Sequence, residues 1–226
     1  VFYCLEYLVI NCSNQLEAML VDLFWDAVYL KKGEEKRIVA GHSWVYANEV
    51  AKIEGKDKNG SLASVFTYDG RFIGKGYINH LSKILVRIFI RDENQVDDKA
   101  FYLEKLKNAN DFRVNLGFDN CYRMVFAEAD NLPALIIDKY DEYLSVQFLS
   151  LGIDKVKNLI VECLVELFAP KGIYERSDVA VRTKEGLTET KGVLYGEVPD
   201  RIIITENGLK MAVDVKNGQK TGYFLD

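Results

Sequence analysis

Three short stretches carry residue types that could do chemistry. Glu128-Ala129-Asp130 sets two carboxylates at i and i+2. On a strand that spacing points both the same way and lets them share a proton, the arrangement a hydrolase could use. Asp130-Asn131-Leu132-Pro133 reads equally as a turn, since Asx side chains bond nearby backbone, and the turn is the favoured reading. Tyr174 to Arg182 contains Arg176, Asp178 and Arg182. Such a group can grip a phosphate or close an internal ion-pair network, and the network is the default expectation. Lys31, Lys32, Lys36, Arg37 and His42 lead into Trp44 and Tyr46. Cations beside aromatics can hold a nucleic acid by phosphate contacts and base stacking. Against this, Trp44 is expected to be buried in a small core with the cations left exposed, and His42 to shape a turn beside Gly41.

Other chemistries lack their residues. There is neither a G-x-G-x-x-G nor a Walker pattern, and the only two histidines, His42 and His80, lie in one segment. Cys4, Cys12, Cys121 and Cys163 are scattered with no C-x-x-C, so neither a metal site nor a disulfide framework is expected. Cys163 falls at an apolar helical position and is expected to be a buried, inert thiol. This cysteine usage fits a reducing cytoplasm. The net charge of −5 is unevenly spread: residues 31–91 carry twelve Lys/Arg against six Asp/Glu, inside an otherwise acidic chain. A basic segment of this kind suits a polyanion, although a solvated strand surface would look the same.

The elements that must position these groups fall into two patterns. Val28 to Leu30, Trp44 to Tyr46, Ser64 to Tyr68, Phe72 to Tyr77 and Leu85 to Ile90 read as five short strands, with Asp69-Gly70 as a hairpin turn. Strands so short and close predict a small closed or half-open barrel. Asp97 or Asp98 then caps a helix to about Leu116, with Tyr102, Leu106, Ala109, Phe112 and Leu116 on one face and Gly117 as its stop. Strands follow near residues 122–128, 134–139 and 144–149, then a helix over about 154–168 ended by Pro170. Further strands fall near 172–175, 193–197, 202–205 and 211–215, the last two joined by Asn207-Gly208. Strands, helix and strands again define an α+β class. No stretch is long and apolar enough to span a bilayer, and residues 1–27 lack the basic start of a secretory signal.

Several of these stretches, in order, resemble one family. They are Val28 to Arg37, Gly41-His-Ser-Trp-Val-Tyr46, Glu128 to Asp138, Ile173 to Arg182, and Glu206-Asn-Gly-Leu through Gly218-Gln-Lys-Thr-Gly-Tyr-Phe-Leu-Asp226. The chain is similar to the front half of the bacterial large-subunit rRNA methyltransferases that make 5-methylcytosine, class I S-adenosylmethionine enzymes with an N-terminal PUA domain. Ser43 stands where a proline is usual and Asn131 where a glycine is common, and residues 1–27 match nothing in the family. The resemblance implies a non-matching extension over 1–27, a PUA-like RNA-binding barrel over 28–95 and a central α+β domain over 97–212. Residues 213–226 would begin a Rossmann-like methyltransferase domain that is otherwise essentially absent. In such enzymes a cysteine thiolate adds to cytosine C6, C5 takes the methyl group and then loses its proton. None of the four cysteines here lies in that context, so no catalytic residue is assigned.

The resemblance further implies ribosomal RNA as partner and S-adenosylmethionine as the family's cofactor, which this chain alone is not expected to bind. Lys220, Thr221, Gly222, Tyr223, Phe224 and Asp226 would form one edge of the cofactor pocket. Lys31, Lys32, Lys36, Arg37, His42 and Trp44 would meet RNA. The Tyr223-Phe224-Leu225 cluster is expected to need a partner surface, as one wall of an incomplete socket. No membrane association is expected, a homodimer is left open, and a stand-alone RNA-binding module without catalysis is the alternative.

Overall fold

The computed structural model describes residues 26–56, 58–206, 208–223 and 225; residues 1–25, in which the sequence predicts a short helix from about Gln15 to Trp25, lie outside them. The first unit is a curled sheet of six strands, one more than the five that the sequence predicts. Its strands are β1 (Asp26–Leu30), β2 (Trp44–Tyr46), β3 (Val50–Glu54), β4 (Leu62–Phe66), β5 (Phe72–Ile78) and β6 (Ile84–Ile90), in the order β2-β6-β5-β4-β1-β3. All neighbours are antiparallel except β1 and β4, which run parallel. Val28, Leu30, Ala63 and Val65 point inward with Val45, Ile78, Val86 and Ile88 to form its core. Gly70, at φ +86, supplies the left-handed turn between β4 and β5 that a Cβ would strain.

Two elements were not foreseen. The short helix α1 (Glu35–Val39) lies in the cationic stretch to which no element was assigned, buries Ile38 and carries no side-chain cap. Strand β3 closes the sheet edge beside β1, although Val50-Ala-Lys-Ile-Glu54 is too polar to announce itself as a strand.

The second unit is a five-stranded sheet in the order β11-β10-β9-β8-β7, built from β7 (Cys121–Phe126), β8 (Leu135–Tyr140), β9 (Tyr143–Phe148), β10 (Gly172–Ser177) and β11 (Thr190–Gly196). Parallel pairing of β9 with β10 requires a crossover, which α3 (Leu151–Lys155) and α4 (Lys157–Phe168) provide. The single helix predicted over 154–168 therefore begins earlier and is interrupted at Val156. Ahead of β7 lies α2 (Lys99–Asn115), whose Asp98 cap accepts the Phe101 N–H at 2.9 Å, as the sequence indicated.

The predicted apolar face of α2 holds only in part. Phe101, Tyr102, Leu106 and Ala109 are buried, but Phe112 is 59% and Leu116 62% exposed. The last turns still meet β7, where Arg113 Nε donates to the Arg123 carbonyl at 3.1 Å and the Tyr122 hydroxyl to Asn110 at 2.7 Å, so the polar side chains take the contact and Phe112 and Leu116 are left largely in solvent. Strands β12 (Ile202–Glu206) and β13 (Leu209–Val213) form a separate hairpin with Glu206 opposite Leu209. Its inner side joins Tyr140, Tyr174 and Val198 in a third core.

Candidate functional site

Three groupings could bind or position a ligand: the first turn of the barrel, the contact between the two sheets, and the segment after β13.

In the barrel, Lys31, Lys32 and Lys36 are exposed, as expected. Arg37 is not. Its guanidinium donates to Glu49 Oε1 at 2.6 Å and the Trp44 carbonyl at 3.2 Å, lies 2.9 Å from His42 Nδ1, and covers the Tyr46 ring. His42 Nδ1 accepts the Trp44 backbone N–H at 3.0 Å, which fits the turn-shaping role expected of it. Arg37 and His42 thus hold the loop between α1 and β2.

Trp44 corrects an expectation. It is only half-buried and lies outside the barrel core, which Val45 fills instead. The three-residue strand β2 alternates, so burying Val45 turns Trp44 and Tyr46 to the other side. There Trp44 Nε1 donates to Glu128 Oε1 at 2.7 Å.

Glu128 belongs to the contact between the sheets. Arg87, on β6, approaches Glu128 at 3.6 Å, pairs with Glu185 at 2.8 Å, and lies over the Trp44 ring. Glu185 is buried and also accepts from Asn79 Nδ2 at 3.0 Å and from the Ser82 hydroxyl. On β5, directly across from Arg87, the Tyr77 hydroxyl donates to Asp97 at 2.6 Å and meets Tyr102 at 2.7 Å. Burial raises both phenol pKa values well above the ordinary tyrosine range. Gly152 packs so closely on Tyr77 that an added Cβ would collide with that side chain.

The carboxylate pair is not a catalytic dyad. Asp130 ends a single 3-10 turn (Ala127–Asp130), is gripped by both guanidinium nitrogens of Arg113 and accepts the Phe126 N–H at 2.6 Å. Glu128 is committed to Trp44 and Arg87. Both carboxylates are satisfied, which removes the hydrolase reading. Asn131 follows at φ +55, the left-handed position that Asn tolerates in place of glycine. Arg176, Asp178 and Arg182 are likewise structural. Arg176 binds Asp178 at 3.0 Å and Arg182 binds Asp154 at 2.9 Å. Cys163 is buried and its thiol pushed up by that burial, as its helical position indicated.

Beyond β13 the chain is tied to the central sheet. Arg176 donates to the carbonyls of Val215 and Gly218 at 2.8 and 2.9 Å. Asp214 accepts the N–H groups of Asn217 and Lys216, which hold its carboxyl below the usual range. Thr221 is 1% exposed and donates to Asp138, itself ion-paired with Arg123 at 2.8 Å. The Tyr140 hydroxyl bridges the carbonyl and N–H of Tyr223 at 3.1 and 3.0 Å.

Of the residues assigned to a cofactor edge, Thr221 is therefore turned inward, Lys220 is exposed at φ +56, Gly222 sits at φ +129, and Tyr223 is partly exposed. Phe224 and Asp226 lie outside the described residues. Leu225 is buried in the third core, so this residue of the cluster finds its partner within the chain, contrary to expectation, whereas Tyr223 is 37% exposed. Tyr223 and Leu225 line a 620 Å³ cleft with Phe118, Asn120, Cys121 and Thr205. The sequence reading missed Arg87, Glu185, Asp138 and Tyr140, whose partners lie far away in the chain.

The curled sheet is followed by an α+β domain, and residues 28–91, which form the former, match the PUA-like domain family. Over 88% of its length the chain is homologous to the N-terminal half of the proteins called Ribosomal RNA large subunit methyltransferase I. It is 40% identical to that of Aliivibrio fischeri (strain MJ11), over 88% of this chain and 52% of the relative. It is 42% identical to that of Vibrio parahaemolyticus, over 88% of this chain and 51% of the relative. The chain thus spans about half the length of the curated relatives it matches. Among solved structures, a candidate SAM-dependent methyltransferase from Streptococcus mutans shares the fold at a TM-score of 0.72 and 18% identity, over 88% of this chain and 51% of that one. A candidate methyltransferase complexed with SAH does so at 0.73 and 18%, over 88% and 50%. Among the described residues, no helix is long and apolar enough to cross a membrane.

Proposed function

We propose that this chain is the RNA-holding front portion of an enzyme that methylates C5 of a cytosine in large-subunit ribosomal RNA, with S-adenosylmethionine as donor. The supporting observation is 40% identity, over 88% of this chain, to relatives named for rRNA methylation. In this reading a barrel over 28–95 binds RNA and a central domain over 97–212 carries it. Residues 213–226 lead into the portion that performs the transfer.

Each group then has a task. Lys31, Lys32 and Lys36 meet phosphates, whereas Arg37 and His42 shape the loop that presents them. Trp44, Glu128, Arg87 and Glu185 fix the barrel on the central sheet, so that RNA bound by one is held in register with the other. Tyr223 and Gly222 form the accessible edge of the cofactor pocket. Thr221 anchors that edge through Asp138 rather than touching the cofactor.

The test is twofold. Large-subunit rRNA is titrated with the chain across a salt series, and methyl transfer from labelled S-adenosylmethionine is followed in parallel. Binding should fall linearly on a log–log plot against salt, with no methyl incorporated by this chain alone. A flat salt response would overturn the RNA assignment. Turnover would overturn the assignment of the chemistry to the remaining half of the relatives' length.

A further inference from the structure

The barrel carries a second surface, which borders the loop around Lys31 to Trp44 at Lys32. On its outer face, four residues of four adjacent strands stand side by side. Lys52 of β3 is opposite Tyr29 of β1, Tyr29 opposite Phe66 of β4, and Phe66 opposite Phe72 of β5. The Tyr29 and Phe66 rings are stacked with centroids 5.3 Å apart and planes 23° from parallel. Phe66 and Phe72 meet edge to face at 5.9 Å, and Lys52 Nζ sits 4.3 Å from the Tyr29 centroid.

Alternation explains the placement: Val28 and Leu30, Ala63 and Val65 take the inner face, which leaves Tyr29 and Phe66 outside. None of the three rings joins a described hydrophobic core. Such a row stabilises a sheet only modestly, and apolar rings on a solvent face would ordinarily be replaced by polar residues.

The surroundings are cationic. Just past Tyr29, Lys32 reaches over Tyr68, itself 52% exposed. Phe72 also walls a 410 Å³ pocket that includes Arg71 and Arg91. Arg91 is locked in place by the carbonyls of Ile38, Ile73 and His42 at 2.9 to 3.1 Å. Lys52 is offset by Glu54 at 2.6 Å, so the charge available to a ligand comes from Lys32, Arg71 and Arg91.

We infer that this face is a base-stacking platform for single-stranded RNA, with unpaired bases against the Tyr29–Phe66–Phe72 row and Tyr68, and the backbone along Lys32, Arg71 and Arg91. An aromatic row flanked by cations is how sequence-tolerant single-strand binding is built, rings meeting bases and cations meeting phosphates. The inference rests on the RNA-binding reading above and adds the strand state of the RNA and the surface that takes it.

The test uses the full chain with two fluorescent twelve-nucleotide probes, oligoadenylate and an abasic oligomer carrying the same phosphates. The wild-type chain should bind oligoadenylate at least about fivefold tighter, the contribution of one stacked base. The double variant Tyr29→Leu/Phe66→Leu should lose that preference while keeping its affinity for the abasic probe. A 4-thiouridine oligomer on the wild-type chain gives an independent reading, with crosslinks expected in the peptides holding Tyr29, Phe66, Tyr68 or Phe72. Crosslinks confined to residues 31–46, or a base preference untouched by the double variant, would overturn the platform. If neither probe binds, the RNA-binding reading itself fails. If the double variant instead dissolves a dimer seen by sedimentation and leaves RNA binding unchanged, the face is a self-association surface and the inference is wrong.

Discussion

Trp44 and Glu128, 84 residues apart in sequence, meet where the barrel rests on the central sheet, with Nε1 donating to Oε1 at 2.7 Å. A residue that sequence reading places in a core therefore acts as a strut between two sheets. Trp44→Phe keeps most of the ring's contacts and removes only the donor. The expected cost is about 1–2 kcal/mol, from an interface hydrogen bond to a charged acceptor. That corresponds to a fall in Tm of roughly 2–8 °C in a chain of this size. An unchanged Tm would show that the strut contributes nothing.

Arg87 and Glu185 form the deeper connection, with side chains 13% and 3% exposed. Glu185→Ala removes the buried acceptor of Arg87, Asn79 and Ser82 and leaves Arg87 only its 3.6 Å approach to Glu128, so it is expected to cost about 3–5 kcal/mol in urea denaturation. Arg87→Met with Glu185→Leu should recover much of the loss, because replacing both partners leaves no orphaned charge. If the double variant is no more stable than Glu185→Ala, the pair is not the cause.

Gly152 gives a steric prediction with its own control. Gly152→Ala drives a Cβ into Tyr77 and should destabilise by about 2–3 kcal/mol. Gly192→Ala, which meets nothing within 4 Å, should stay within about 0.5 kcal/mol of the parent. Equal effects at the two positions would contradict the close packing of α3 on β5.

Tyr140 sets an alkaline limit. Burial pushes its phenol pKa from 10.0 up to about 12. The folded state thus holds its proton more tightly than the unfolded one. This contribution is complete below pH 10 and is lost as pH rises from 10 through 12, up to about 3 kcal/mol for a two-unit shift. Tyr77 and Tyr102 move in the same direction and steepen the decline. Stability measured by urea at pH 9 to 12 should fall along that course. Tyr140→Phe, although weaker at pH 8 for want of its bonds to Tyr223, should fall less steeply.

The exposed lysines make a prediction about charge alone. Replacing Lys31, Lys32 and Lys36 by Gln should lower the slope of log affinity against log salt by about 2 for single-stranded RNA, at about 0.7 per phosphate contact. Arg37→Gln should act differently, because its guanidinium is spent on Glu49 and Trp44. It should lower Tm more than it changes the slope. Equal slopes in the triple variant and the parent would remove these lysines from the RNA surface.

Local chemistry made much of this protein readable from its residues alone. Alternation marked most of the strands, Asp97 or Asp98 the start of α2, Asp69-Gly70 and Asn207-Gly208 the hairpins, and Asp130-Asn131 a turn rather than a dyad. Each depends on backbone and side-chain preferences expressed within a few residues. What lay beyond that range was decided only when surfaces met. Parallel pairing of β1 with β4 and of β9 with β10 joins strands that no local turn connects. The end of α2 meets β7 through Asn110 and Arg113 and leaves Phe112 and Leu116 in solvent. Trp44 leaves the core because a three-residue strand has one inward position and Val45 takes it, while Thr221 turns inward because Asp138 waits 83 residues away. A sequence window carries the preference of each segment, but a side chain's partner depends on the distances between segments, which tertiary packing alone sets.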